Sequence, residues 1–222
     1  MSYVRTSLLA LSAALTLSST PAPAADYNAE VTFRMFTATC MRRLGMPEEI
    51  KSWARDARLT PIQDVGLLAT FVGQAQGPKG AAWVLPSPND RKFTLSVRAG
   101  SQTCAVWAET GDPSTAEELF KKLVNEAARP GTKVNTEQDQ SFTTQTGKSR
   151  LLEMSVTDDS GEGYKFTFMG GDQSGVFFAG APIQLSMQMT RLPPDKNPKA
   201  QTPAKAAPAK PAAGKAAPGA KK

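Results

Sequence analysis

LEMSVTDDSGEGYKFTF, residues 152–168, holds the clearest fold signal in this sequence of 222 residues. Leu152, Met154 and Val156 alternate with polar residues in its first part, and aromatic residues at 164, 166 and 168 do so in its last part. A two-residue period places the apolar side chains on one face of a strand. The intervening residues 158–163 are Asp, Ser, Gly and Glu, a composition that favours a turn. The stretch therefore predicts a β-hairpin with one apolar face.

Other segments carry similar strand signals. They are a short apolar run at Ala82–Leu85 and alternating patterns at Phe93–Val97, Cys104–Ala108 and Ile183–Met189. Pro- and Gly-rich turns lie between the first three, at 86–90 and 100–101. With the hairpin, they predict an antiparallel sheet of about six strands with one covered side.

Three segments have a helical period instead. Phe33, Phe36, Cys40 and Leu44 form an apolar stripe over residues 29–44. Pro47 then starts a second helix with Ile50, Trp53, Ala54 and Ala57 inside, and Ser114 and Glu117 form a capping box for a third helix that ends near Arg129. We expect an α+β fold, a single domain with two N-terminal helices and one inserted helix.

The two ends of the chain differ from this domain. Residues 1–25 contain Arg5, the apolar run Leu8–Leu17 and Ala22-Pro23-Ala24, the pattern of a secretory signal peptide. The apolar run is about half the roughly 20 residues that span a bilayer, so no transmembrane segment is expected in the mature chain. Residues 195–222 contain only Ala, Pro, Lys, Gly and a few polar residues, which predicts a disordered tail. The domain thus covers residues 26–194.

The tail also accounts for the net charge. The chain has 26 Lys and Arg against 20 Asp and Glu, and the tail contributes 7 Lys and one Asp, which leaves 19 of each sign in residues 1–194. The pI of 9.4 therefore describes the tail and not a basic domain. Nucleic-acid binding is not expected, because export removes the usual substrate and the tail has no aromatic residue for stacking.

Two cysteines, Cys40 and Cys104, lie 64 positions apart. In an oxidising compartment a disulfide between them is the expected state. The alternatives are two buried thiols or a redox pair, although the Cys-x-x-Cys spacing of redox sites is absent. A disulfide would join the first helix to the third predicted strand.

The sequence has no histidine, which excludes Ser-His-Asp and Cys-His catalysis and His-based zinc sites within the chain. Two groups of carboxylates, Asp158, Asp159 and Glu162, and Glu109 with Asp112, offer Ca²⁺ or acid/base chemistry, but turn and helix-start positions explain both. Met187 and Met189 offer thioethers for Cu(I), or simply fill the core. We expect no catalytic residue, no metal and no cofactor.

In the tail, Lys205, Lys210 and Lys215 recur every five residues and Lys221 and Lys222 end the chain. This composition resembles the Lys/Ala/Pro tails of linker histones and the periplasmic stretches of TolA-like envelope proteins. The resemblance implies weak, salt-sensitive contact of these lysines with anionic envelope polymers or lipid headgroups. A solubilising spacer without a partner is the alternative.

The domain resembles a group of small exported proteobacterial proteins, some of them lipoproteins, of unassigned function. The resemblance lies in Phe36-x-x-x-Cys40, Gly80-x-Ala82-Trp83-Val84 and Cys104-Ala105-Val106-Trp107, and covers about residues 30–130. We expect a periplasmic, non-enzymatic, envelope-associated binding protein with an unidentified protein or envelope partner. The alternative is a carboxylate-based enzyme or an enzyme inhibitor that acts on cell-wall or small-molecule substrates.

Overall fold

A computed structural model of the chain describes residues 24–43, 46–73, 80–87, 92–144, 147–173 and 182–194. The predicted tail, and all but the last two residues of the predicted signal peptide, lie outside these ranges.

The centre of the fold is one antiparallel sheet of eight strands in the order β1-β2-β3-β4-β8-β7-β6-β5. The last strand of the chain, β8, lies between β4 and β7 and joins an N-terminal half of the sheet to a C-terminal half. The strands are β1 Thr60–Pro61, β2 Gly80–Leu85, β3 Phe93–Arg98, β4 Thr103–Ala108, β5 Lys133–Thr144, β6 Gly147–Thr157, β7 Gly163–Gly171 and β8 Leu185–Leu192.

The hairpin predicted from residues 152–168 is β6 and β7, and its apolar residues lie opposite one another on the two strands. Leu152 lies opposite Phe168, and Met154 lies opposite Phe166. In the turn, Asp158 Oδ1 accepts hydrogen bonds from the backbone N–H groups of Ser160 and Glu162, at 2.8 and 3.1 Å. Gly161 has a φ of 79°, a left-handed conformation that favours glycine.

The α-helices are α1 Ala24–Phe36, α2 Pro47–Asp56, α3 Val65–Val72 and α4 Pro113–Ala127. A π-helical segment, Thr37–Met41, continues α1 and contains Cys40. Pro47 is at the start of α2, as predicted from the sequence. None of the helices in the described ranges is both long and apolar enough to cross a bilayer.

The main core lies between one face of the sheet and the helices α1, α2 and α4. Alternate residues of the strands point into it, for example Leu95 on β3 and Val106 on β4, which are register partners and fully buried. Phe36 of α1 and Phe120 of α4 belong to the same core cluster. Burial of these large apolar side chains is the main stabilising contribution to the fold.

The opposite face of the sheet is also covered in part, which corrects the expectation of a single covered side. Phe71 and Val72 of α3 form a second apolar cluster there with Trp107 and Ile183. The approach of α3 to β2 is so close that a Cβ on Gly80 would lie 2.6 Å from Cβ of Val72. The sheet is therefore sandwiched between two helical layers at its N-terminal half.

The structure has more elements than expected: within the described residues, the sheet has eight strands and not six, and there are four α-helices and not three. β1 has two residues, of which one is Pro61. β5 is an edge strand that is polar and exposed on both faces, so it lacks the apolar alternation that predicts a strand. No element was expected at residues 65–72, which form α3.

The capping box predicted for α4 is wrong. Asp112, and not Ser114, is the N-cap residue, and its carboxylate accepts from the backbone N–H of Thr115 at 2.7 Å. Pro113 occupies the first turn of α4, which suits a residue without an N–H. Glu117 does not reach back to the helix start but bonds to Arg150 of β6.

Candidate functional site

An apolar cleft of about 230 Å³ opens between α3 and the second face of the sheet. Phe71 and Leu67 of α3 form one wall, and Trp107 of β4 and Ile183 form the opposite side. We call this the α3 cleft. Its lining combines these apolar side chains with the polar residues Lys92, Thr94 and Glu109.

Strand alternation explains which side chains reach the cleft. Val84 pairs with Thr94, and Thr94 pairs with Trp107, so one residue from each of three adjacent strands lies in one row. Lys92 lies two residues before Thr94, and Glu109 lies two residues after Trp107, so both are on the same face as these residues. The Glu109 N–H donates to the Lys92 carbonyl at 3.3 Å. The cleft therefore has an apolar interior and a charged rim.

The aromatic lining is held in place by hydrogen bonds and ring packing. Trp107 Nε1 donates to Ser96 Oγ at 2.7 Å, and Ser96 Oγ donates to the carbonyl of Phe71 at 3.5 Å. The rings of Phe71 and Trp107 pack edge to face with centroids 5.6 Å apart. These contacts fix α3 and β4 relative to each other and preform the cleft.

Polar side chains line part of the same cleft. Thr94 is only 9% exposed, and its side chain lies in the lining beside Trp107. At the rim, Lys92 Nζ and Glu109 Oε1 are 3.6 Å apart, a long ion pair with the lysine side chain 69% exposed. A ligand with an apolar body and a polar end would satisfy these groups.

Exposed apolar side chains surround the mouth of the cleft. Leu67 and Val84 line it and are 39% and 41% exposed, respectively. Val65, at the start of α3, is 80% exposed and does not line the cleft. Adjacent exposed apolar residues are typical of binding surfaces.

A second cleft, of about 260 Å³, lies where the start of α4 meets β5, β6 and β7. Arg150 lines it and makes a double hydrogen bond to Glu117, with both distances 2.9 Å. Asp139 also accepts from Arg150. The hydrogen bonds from Arg150 hold the pKa values of Glu117 and Asp139 below their ordinary values and raise the pKa of the guanidinium. Two carboxylates fixed in their ionised form do not make an acid/base pair at neutral pH.

The carboxylates singled out from the sequence have structural partners. Asp158 caps the β6–β7 turn, and hydrogen bonds from Ser160 lower its pKa. Asp159 and Glu162 pair with Lys133 and Arg191, respectively. Of the second group, Asp112 caps α4, whereas Glu109 lies at the rim of the α3 cleft. Of these five carboxylates, Glu109 is the one that lines the α3 cleft.

The described residues hold no group of three or more His, Cys, Asp or Glu side chains with metal-site geometry. Met187 and Met189 are 0% and 1% exposed and belong to the main core. Their thioethers fill space beneath the helices, and the copper alternative therefore has no support from their position.

Cys40 and Cys104 form the disulfide expected from the sequence, with their Cα atoms 5.5 Å apart. Both residues are fully buried. The bond joins the π-helical segment to β4 on the face opposite the α3 cleft. Lys205, Lys210, Lys215, Lys221 and Lys222 lie outside the described residues.

No protein-family model, curated protein or solved structure matches this chain. The α3 cleft is thus the main guide to function, and sequence analysis did not identify it. Two signals were present: β4 is apolar on both faces, with Ala105 and Trp107 opposite the core residues, and residues 65–72, VGLLATFV, are almost entirely apolar. A strand that is apolar on both faces indicates cover on both sides of the sheet.

Proposed function

We propose that the protein is a non-enzymatic binding protein of the cell envelope, which holds a small molecule with an apolar body in the α3 cleft. The observation that carries the proposal is the combination of Phe71, Trp107 and Ile183 in one preformed concavity whose lining also includes the hydroxyl-bearing side chain of Thr94. Small-molecule sites are commonly apolar with a few placed polar groups.

The envelope location rests on the signal-peptide pattern of residues 1–25 and on the disulfide between Cys40 and Cys104. Disulfides persist in oxidising compartments, and their presence agrees with export. The basic tail would supply a separate, low-specificity contact with anionic envelope polymers or lipid headgroups.

The enzyme alternative has less support. Of the acids near the two clefts, Glu117 and Asp139 are paired with Arg150, and Glu109 is paired with Lys92. An enzyme inhibitor acting on cell-wall or small-molecule chemistry has no observation in its favour.

Toluene is a suitable probe, because an apolar cavity of roughly 150 Å³ binds benzene in another protein. In an NMR titration of the full-length protein, we expect toluene to shift the indole N–H signal of Trp107 in a saturable way. The signals of Trp53 and Trp83, which do not line the cleft, serve as internal references.

Leu67→Asp should abolish this shift, because a charge would stand at the mouth of the cleft. The matched control is Val65→Asp, which also places an acid in the first turn of α3 but outside the cleft. Equal toluene binding by the two variants, or no saturable shift in the wild type, would contradict the proposal.

A further inference from the structure

The rim of the α3 cleft presents one positive and one negative side chain next to each other. Lys92 and Glu109 extend beyond the apolar lining on neighbouring strands, and their charged atoms are 3.6 Å apart. Neither residue has another ion-pair partner within the described ranges. An apolar concavity that ends in a pair of opposite charges is complementary to a molecule with an apolar body and with one positive and one negative group at one end.

We propose that the ligand of the α3 cleft is a free apolar α-amino acid, with an aromatic or branched aliphatic side chain, bound as the zwitterion. Its side chain lies against Phe71 and Trp107, its carboxylate pairs with Lys92 and its ammonium pairs with Glu109. This inference rests on the proposed function, because it assigns a ligand class to the same cleft.

The size of the cleft fits one amino-acid side chain and little more. Its volume is about 230 Å³, against roughly 150 Å³ for an engineered cavity that takes benzene. Drug-sized ligands use pockets of about 300 Å³ or more, so a larger amphiphile would leave most of its apolar surface in water.

The charges favour a zwitterion over ligands with a single charge. A carboxylic acid would pair with Lys92 but repel Glu109, and an amine would do the reverse. The zwitterion replaces one long ion pair with two new ones and leaves no like charges adjacent. The ends of peptides do not meet this requirement, because an N-terminal residue lacks the free carboxylate and a C-terminal residue lacks the free ammonium.

The hydroxyl of Thr94 adds a third polar contact. The side chain of Thr94 lies in the lining of the cleft, two residues after Lys92 in the sequence. A hydroxyl both donates and accepts, so it serves either end of the zwitterion.

The experiment is calorimetric titration of the full-length, disulfide-intact protein with four phenyl compounds. L-phenylalanine carries both charges, 3-phenylpropanoate carries the carboxylate, phenethylamine carries the ammonium, and ethylbenzene carries neither. We expect L-phenylalanine to bind about three- to tenfold more tightly than either singly charged compound, because the rim is partly exposed and its ion pairs are correspondingly weak.

Substitutions at the rim then test which residue pairs with each charged group of the ligand. Lys92→Gln should remove the preference for L-phenylalanine over phenethylamine, and Glu109→Gln should remove its preference over 3-phenylpropanoate. Lys148→Gln and Glu118→Gln are matched controls, since both residues are exposed and lie outside the α3 cleft. They should leave all four affinities unchanged.

Failure of the inference is distinguishable from failure of the proposed function. If ethylbenzene binds in the cleft and L-phenylalanine binds no more tightly than the singly charged compounds, the amino-acid assignment is wrong and the apolar binding function stands. If none of the four compounds binds, both are wrong.

Discussion

Trp107 and Ser96 lie on adjacent strands and are joined by a buried hydrogen bond of 2.7 Å from indole Nε1 to Oγ. The same Oγ donates to the carbonyl of Phe71, so a single hydroxyl connects the ring of β4 to the backbone of α3. Ser96 is thereby a positioning residue for the α3 cleft, although it does not line it.

Ser96→Ala removes the acceptor of this hydrogen bond. We expect a loss of unfolding free energy of about 1–2 kcal/mol, measured by urea denaturation, because a buried donor loses a partner. Toluene affinity should fall as well, since the Trp107 ring loses a restraint. Ser52→Ala is the control on α2, where a partly exposed hydroxyl accepts from Arg55. It should change stability by less than about 0.5 kcal/mol, and an equal loss in both variants would argue against a role for Ser96.

The sequence and the structure give different N-cap residues for α4, namely Ser114 and Asp112, respectively. Because Asp112 caps the helix, Asp112→Ala should lower the unfolding free energy by about 1 kcal/mol. Ser114→Ala should have almost no effect, since Ser114 is exposed and lies inside the first turn. Thermal denaturation of both variants tests this pair, and the reverse order of effects would restore the capping box predicted from the sequence.

Strong apolar periodicity made much of the fold predictable. The hairpin of residues 152–168, the three predicted helices and the disulfide all depend on buried side chains, whose spacing shows in the sequence. β5 was not predicted because an exposed edge strand is defined by its hydrogen bonds to β6 and not by its side chains. Backbone pairing of this kind leaves no pattern in the residue types.

The α3 cleft was missed for a related reason. Its residues come from α3, from strands β2, β3 and β4, from the segment before β8 and from residues that flank these elements. They are distant in the sequence and come together only in the folded sheet. An apolar run of eight residues, 65–72, does not distinguish a helix from a buried strand. Trp107 lies on the face of β4 opposite the main core, and α3 covers it there.

Arg150 stabilises the contact between α4 and the sheet, because its guanidinium binds Glu117 of α4 in a two-point hydrogen bond. Arg150→Met leaves a largely buried carboxylate without this partner. We expect a loss on the order of 2 kcal/mol in unfolding free energy at pH 7, measured by urea denaturation.

The same variant has a defined pH dependence. Arg150 lowers the pKa of Glu117 from an ordinary value of 4.5 and that of Asp139 from 3.8. A carboxylate with a lowered folded-state pKa contributes stability that is fully present above its ordinary pKa and is lost as the pH falls through the folded-state value. The difference in unfolding free energy between wild type and Arg150→Met should therefore be constant from about pH 6 to 8 and shrink below about pH 4.

Lys148→Met, which removes a neighbouring exposed cation, is the control and should show no such pH dependence. A pH-independent difference for Arg150→Met would contradict the ion-pair interpretation.

The disulfide between Cys40 and Cys104 closes a loop of 64 positions. In the chain-entropy account, its loss should lower the unfolding free energy by about 4 kcal/mol. Urea denaturation of the wild type with and without reductant measures this, and the Cys40→Ala/Cys104→Ala double variant is the check. Equal stability of the oxidised wild type and the double variant would show that the bond contributes nothing to the fold.

The tail provides a prediction that is independent of the cleft. Seven lysines against Asp195 make residues 195–222 strongly positive, whereas residues 1–194 are neutral overall. Lysines near an anionic bilayer are attracted within a Debye length, and salt screens this attraction. In sedimentation with vesicles of anionic phospholipid, we expect the full chain to bind at least about tenfold more tightly in ~20 mM salt than in ~500 mM salt.

Replacement of Lys205, Lys210, Lys215, Lys221 and Lys222 by glutamine keeps the length of the tail and removes most of its charge, so it should abolish most of the salt-dependent binding. A chain that ends at Pro194 should behave in the same way, and retention of salt-dependent binding in either variant would place the contact in the folded domain instead.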